Sequence, residues 1–128
     1  MSKLFDCVTS KVFHLKGVSA ETVIAAEQKL GVCFSDEFRN YLMEYGVVSF
    51  GSHEFMGLGG DMYLDVVGET LNERANNNIF PKNCYLIENL GIDGILILQN
   101  EEGEIYELNN AGIKKIFDSF KSYINSLI

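Results

Sequence analysis

LGVCFSDEFRNYLMEYGVVSFGSHEFMGL, residues Leu30–Leu58, holds a helix end, a complete second helix and two short strands. Gly31 stands where a left-handed residue ends a helix. Ser35 follows as an N-cap, since its hydroxyl can accept from a free N–H of the first helical turn. Asp36 and Glu37 then occupy that first turn, where the helix dipole favours acids. Phe38, Tyr41, Leu42 and Tyr45 recur at helical spacing and mark a buried side. Gly46 stops the helix. Val47–Phe50 and Glu54–Leu58 predict two strands around a Gly51-Ser52-His53 turn.

Working upstream, Ser19 caps a first helix that Gly31 terminates, with Val18 and Val23 placed as a hydrophobic staple. Val23, Glu27 and Leu30, flanked by Ile24 and Ala26, form its stripe. Residues 1–16 are weakly patterned, with Val12–Leu15 a short strand or extended lead-in. Downstream, Gly57, Gly59 and Gly60 loosen the connection, and Asp61–Leu64 fits no single pattern. Asp65 caps a helix over Val66–Ala75, with Val66, Val67, Thr70 and Leu71 inward. Asn76-Asn77-Asn78 and Pro81 end it. Three strands follow: Cys84–Glu88, Gly94–Leu98 and Glu104–Leu108. The unbroken Ile95–Leu98 run predicts burial on both faces, and Asn100-Glu101-Glu102-Gly103 predicts a hairpin. Ile113, Ile116, Phe117, Phe120, Ile124 and Leu127 keep helical spacing, so the chain is expected to close on one amphipathic helix.

This order predicts α+β: one domain over residues 1–128, with a mostly antiparallel sheet packed against about four helices. The length, 128 residues, suits one core that buries roughly two thirds of the unfolded chain's surface. Nine Phe and six Tyr supply its bulk. The longest apolar run near the middle of the chain is too short to span a bilayer. Asp6 and the lack of a sustained apolar run argue against a signal peptide. Cys7, Cys33 and Cys84 have no paired spacing and fit a reducing cytosol, as buried small hydrophobes.

Charge is the second clue. The net charge of −8 is uneven along the chain. Residues 65–110 hold nine acids against two bases, a net of −7, whereas residues 111–128 carry +2. Such a segment repels nucleic-acid phosphates and attracts a basic protein. Of Glu101, Glu102, Glu104 and Glu107, three lie in or beside one hairpin. They could present a negative tip to a basic partner or keep a sheet edge soluble. Asp65, Glu69 and Glu73 recur every four residues and can line one helix face.

Catalytic and cofactor patterns are missing. His53 precedes Glu54, but adjacent strand residues point to opposite faces, and an exposed turn histidine is the expectation. Asp61-x-Tyr63-x-Asp65 lacks the glycine and bidentate glutamate of a calcium loop. Gly57-Leu58-Gly59-Gly60 lacks the Lys-Ser/Thr of a phosphate loop, so a close backbone turn accounts for it better. No metal, cofactor or enzymatic activity is expected.

From about Val18 to Leu127 the chain resembles the SUKH superfamily of Smi1/Knr4-type proteins. The resemblance rests on Leu30-Gly31-Val32, Ser35-Asp36-Glu37-Phe38-Arg39 with Tyr41-Leu42 and Gly46, and the Gly57 turn. It continues through the helix reaching Arg74, Leu90-Gly91-Ile92-Asp93-Gly94, the Gly103 hairpin and the Phe120 helix. The family usually has proline where Ser35 stands, and Ser35 offers an alternative cap. The resemblance implies a non-enzymatic, cytoplasmic immunity protein. Such a protein binds a cognate toxin, often a nuclease with a basic nucleic-acid grip, and touches neither nucleic acid nor membrane. The toxin surface would then fall on Glu101, Glu102 and Glu104, with Asp61, Asp65, Glu69 and Glu73 next. Tyr63, Tyr85 and Tyr106 are candidate anchors. A regulatory adaptor unconnected to any toxin is the alternative that the resemblance allows.

Overall fold

Ser19 and Ser35 act as the sequence reading expects. The computed structural model describes residues 4–128; of the weakly patterned start, residues 1–3 lie outside it. Ser19 Oγ accepts from Thr22 N–H and opens α1 (Ala20–Leu30), which ends at left-handed Gly31. Ser35 Oγ accepts from Phe38 N–H and opens α2 (Asp36–Tyr45), which ends at Gly46. Asp65 takes two amides, Val67 and Gly68, at the start of α3 (Val66–Asn76). Each cap satisfies donors that the helix cannot.

Two antiparallel sheets complete the α+β architecture. The smaller has the order β1-β2-β3, from Val12–His14, Val48–Phe50 and His53–Glu54. The larger runs β4-β5-β6-β7, from Cys84–Asn89, Leu96–Asn100, Ile105–Asn109 and Gly112–Phe117. All five residues of β5 are buried; Leu96–Leu98 of the apolar run are among them, whereas Ile95 lies just before the strand and is partly exposed, and polar Gln99 and Asn100 are buried beside them. Gly103, at φ 92°, closes the β5–β6 hairpin with its N–H on Asn100 O. The core joins Val23 and Leu30 of α1, Phe38, Tyr41 and Leu42 of α2, the inner faces of both sheets, and Phe120 and Ile124 near the C-terminus.

The segment after β3 links the two sheets. Sequence predicts a strand over Glu54–Leu58, but only His53 and Glu54 join the ladder. Beyond them Phe55 N–H bonds Val48 O, Met56 N–H crosses to Ile87 O of β4, and Leu58 N–H reaches Gly46 O. Gly57 is required here by close approach: a Cβ would stand 1.8 Å from Gly46 O. The edge of β4 is otherwise closed by α3. Thr70 Oγ1 accepts from Leu86 N–H at 2.9 Å, and Arg74 donates to the carbonyls of Leu30, Lys82 and Cys84. An edge satisfied by side chains cannot template another strand.

The expected closing helix is the main error of the sequence reading. Ile113–Phe117 belongs to β7, which pairs with β6, and only Phe120–Ser126 is helical (α4). Two short elements of different period happen to reproduce i, i+3, i+4 spacing. The β6 edge offers backbone partners to Ile113–Phe117 that a helix would leave unused, and the Asn109–Gly112 connection turns the chain onto it. Ser119 then starts a fresh helix, its Oγ accepting from Ser122 N–H. Smaller differences have local causes. Leu71 is 42% exposed because α3 presents Val66 and Thr70 to β4 instead. Ile24 of α1 is likewise exposed. Cys7 and Cys33 are exposed and Cys84 alone is buried; Val32 and Phe34 turn inward on either side of Cys33 and leave it outside.

Candidate binding surface

The seven acids singled out from sequence separate into three places. Glu101 and Glu102 sit on the β5–β6 turn and line an open cleft of 480 Å³. Asp36 and Glu37 from the start of α2, and Asp118 before α4, line the same cleft. Five carboxylates thus converge, and among the described residues no lysine or arginine lines the space. Asp36, Glu37 and Asp118 were not among the sequence candidates. Asp36 and Glu37 read as first-turn acids, and nothing along one dimension brings residues 36, 101 and 118 together.

A buried polar network forms the wall under these carboxylates. Ser35 N–H donates to the Tyr85 hydroxyl at 2.9 Å, and that hydroxyl donates to Gln99 Oε1 at 3.0 Å. Gln99 Nε2 donates to Glu37 Oε1 at 3.1 Å and to Gly103 O at 2.9 Å. Glu37 then takes the amides of Phe120 and Lys121 at 2.7 and 3.0 Å, so a residue of α2 caps α4. Burial pushes the Tyr85 phenol up and keeps it a neutral donor. Tyr85 is fully buried, which removes it from the candidate anchors.

Glu104 behaves differently from its neighbours on the turn. Its carboxylate takes Lys115 Nζ at 2.9 Å, Asn100 Nδ2 at 2.9 Å and the Tyr106 hydroxyl at 3.2 Å. Lys115, Asn100 and Tyr106, in that order of effect, pull the carboxyl down to about 2. Lys115 also holds Asp118 at 2.6 Å. Across the same strand pair Lys114 stands opposite Glu107. The basic C-terminal segment therefore lies on the acidic hairpin and offsets part of the −7 run. Among the described residues Glu102 makes no hydrogen bond or ion pair, and Glu101 accepts only the Cys33 amide at 3.3 Å.

The second group lies along α3. Asp65 is engaged as the N-cap, while Glu69 and Glu73 follow one and two turns later. Partial desolvation raises the Glu69 carboxyl, helped by the nearby charges of Glu73 and Asp65, so the three do share a face. Asp61 belongs to neither group. It lines a groove of 610 Å³ on the outer face of the small sheet with Phe13, Leu15, Glu54 and Tyr63.

One buried acid lies elsewhere. Glu88 on β4 is 2% exposed and accepts from the Tyr123 hydroxyl at 2.6 Å and from His53 Nδ1 at 2.9 Å. His53 is thus no exposed turn residue; it sits on β3 among Phe50 and Phe55. The trio ties β3, β4 and α4 together, and burial and Glu88 both push the Tyr123 phenol up. The Cys84 thiol is raised to about 11 by burial, which leaves it protonated and a poor nucleophile. Among the described residues no three His, Cys, Asp or Glu side chains gather as a metal ion would need. No helix of the described residues is long and apolar enough to cross a membrane.

The chain belongs to the SUKH superfamily: residues 2–128 match the SUKH_5 family, described as SMI1-KNR4 cell-wall. Membership is consistent with an immunity-protein type of function and with a protein partner. No curated protein matches the chain.

Proposed function

We propose that this protein is an immunity protein that binds a cognate bacterial toxin in the cytoplasm and blocks it directly. The toxin domain is basic, and a nuclease fits best, because a surface built to grip phosphates is complementary to clustered carboxylates. One observation carries the reading: five carboxylates from three separated parts of the chain line one cleft, where among the described residues no base lines the space and only Asp36 and Asp118 are paired, with Arg39 and Lys115. Covering a nuclease's basic grip with such a surface excludes its substrate. The acids of α3, with Asp61, extend the negative field that would steer the approach.

The test is neutralisation. A reading frame beside the gene that ends in a basic domain supplies the toxin candidate. Co-expression should restore growth, and the purified chain in excess should abolish the toxin's activity in a stable complex. Full toxin activity in the presence of excess chain would overturn blockade. Binding to housekeeping proteins together with no toxin neighbour would favour a regulatory adaptor instead.

A further inference from the structure

The outer face of the small sheet is uncovered. Phe13 on β1, Ser49 on β2 and Glu54 on β3 stand opposite one another in register, so their side chains share one face. The opposite face carries Val48 and Phe50 into the core. On the outer face Phe13 is 57% exposed, Leu15 42% and Tyr63 54%. Together with Leu64 they line the 610 Å³ groove, and Met62, on the same short helical turn as Tyr63, is 88% exposed. β1 is an edge strand of this sheet. Large apolar side chains grouped in this way on a charged protein mark an interaction surface.

Its polar rim limits the occupant. Glu54 and Asp61 line the groove with His14, and among the described residues no lysine or arginine does. Tyr63 turns its hydroxyl onto Glu54 at 3.0 Å and so leaves the ring as the apolar wall. The Phe13 ring already takes a cation, with Lys11 Nζ 5.0 Å from its centre; a partner's Arg or Lys can take that place. A second copy of this chain would bring −8 against −8. Anionic lipid and nucleic acid would meet the same repulsion.

We propose that this groove is the anchoring site for a segment of a partner protein that presents an aliphatic or aromatic side chain flanked by Lys or Arg. The inference rests on the reading above only in that the chain acts by binding a protein. Apolar anchors in a groove set the lifetime of a complex, whereas rim charges set its capture rate. The groove and the acidic cleft would then divide those two tasks.

A random-peptide phage library panned on the full chain tests this, because such libraries converge on surfaces built to be desolvated. The enriched peptides should carry an apolar residue beside Lys or Arg. They should shift backbone amide NMR signals around Phe13, Leu15, Ser49, Glu54 and Tyr63. They should bind Phe13→Ser and Glu54→Lys about tenfold or more weakly, yet in high salt, where steering is screened, bind a Glu101→Lys/Glu102→Lys variant as they bind the parent. Both groove positions are exposed, so folded variants are expected and circular dichroism checks them. No enrichment, acidic peptides, or peptides indifferent to both substitutions would overturn the proposal. So would a dimer in sedimentation that Phe13→Ser dissolves. Neutralisation by co-expression is read separately. Peptide selection that fails beside intact neutralisation removes the groove alone; groove peptides without neutralisation remove the toxin reading alone.

Discussion

Glu104 shows how a charge can be conspicuous in sequence and largely spent in the fold. It was grouped with Glu101 and Glu102 as a negative tip, yet Lys115, Asn100 and Tyr106 all bind its carboxylate. Those bonds lower its pKa from 4.5 to about 2. A carboxyl depressed in the folded state adds stability that is complete above its unfolded pKa. That contribution is lost as pH falls through the folded value. Glu104→Gln should therefore flatten the acid limb of stability between about pH 4.5 and 2, and leave the curve above that window parallel to the parent's. Denaturant midpoints across this range check it. The effect should shrink in high salt, because the group is solvent-exposed. A parallel acid limb in the variant would mean that the Lys115 pair adds nothing to the native state.

At the scale of elements, α4 is the clearest case of a structure that depends on its surroundings. Seven residues are too few to hold a helix alone. Glu37, from α2, supplies acceptors for the Phe120 and Lys121 amides. Glu37→Ala should cost about 1–2 kcal/mol, the range of a lost helix cap. Amide exchange in Phe120–Ser126 should quicken while α1 keeps its protection; uniform quickening would make Glu37 a general packing residue rather than a cap. The same element marks the limit of what sequence discloses. In α1, α2 and α3 the local caps made each start readable, because Ser19, Ser35 and Asp65 bond residues two or three positions ahead; α4 has a local cap of the same kind in Ser119, but its second cap is remote. The link from Glu37 to Phe120 spans 83 positions and has no local trace. Likewise, Ile113, Ile116 and Phe117 obey helical spacing, and only the open edge of β6 makes them a strand. The candidate site divides in the same way. Glu101 and Glu102 were legible as a hairpin tip, but the cleft needs Asp36, Glu37 and Asp118, which only tertiary structure delivers.

For the whole molecule, what matters is how charge is distributed after folding rather than along the chain. Lys114 and Lys115 lie across from Glu107 and beside Glu104, so the −7 segment is weakened where β6 meets β7. Among the described residues, Glu101 and Glu102 at the cleft and Glu69 and Glu73 on α3 keep carboxylates with no ion pair. Arg39 lies between Glu27 and Asp36 at 3.0 Å from each and offsets a little of the cleft's charge from one side. This arrangement makes a kinetic prediction. Glu101→Lys with Glu102→Lys changes the formal charge by +4 where neither side chain has an ion-pair partner. Association with a basic partner domain should slow about tenfold at low salt, because steering acts on encounter. Dissociation should change little, since apolar anchors rather than exposed rim charges hold the complex. The difference should fade as added salt shortens the screening length to a few ångströms. Glu104→Lys, a change of +2, should slow association less than Glu101→Lys or Glu102→Lys alone does, because the charge that it removes is already shared with Lys115. Stopped-flow association at several ionic strengths distinguishes these outcomes. If the double reversal left association at low salt unchanged while Glu69→Lys/Glu73→Lys slowed it, the α3 face would be the steering surface and the cleft merely a solvated rim.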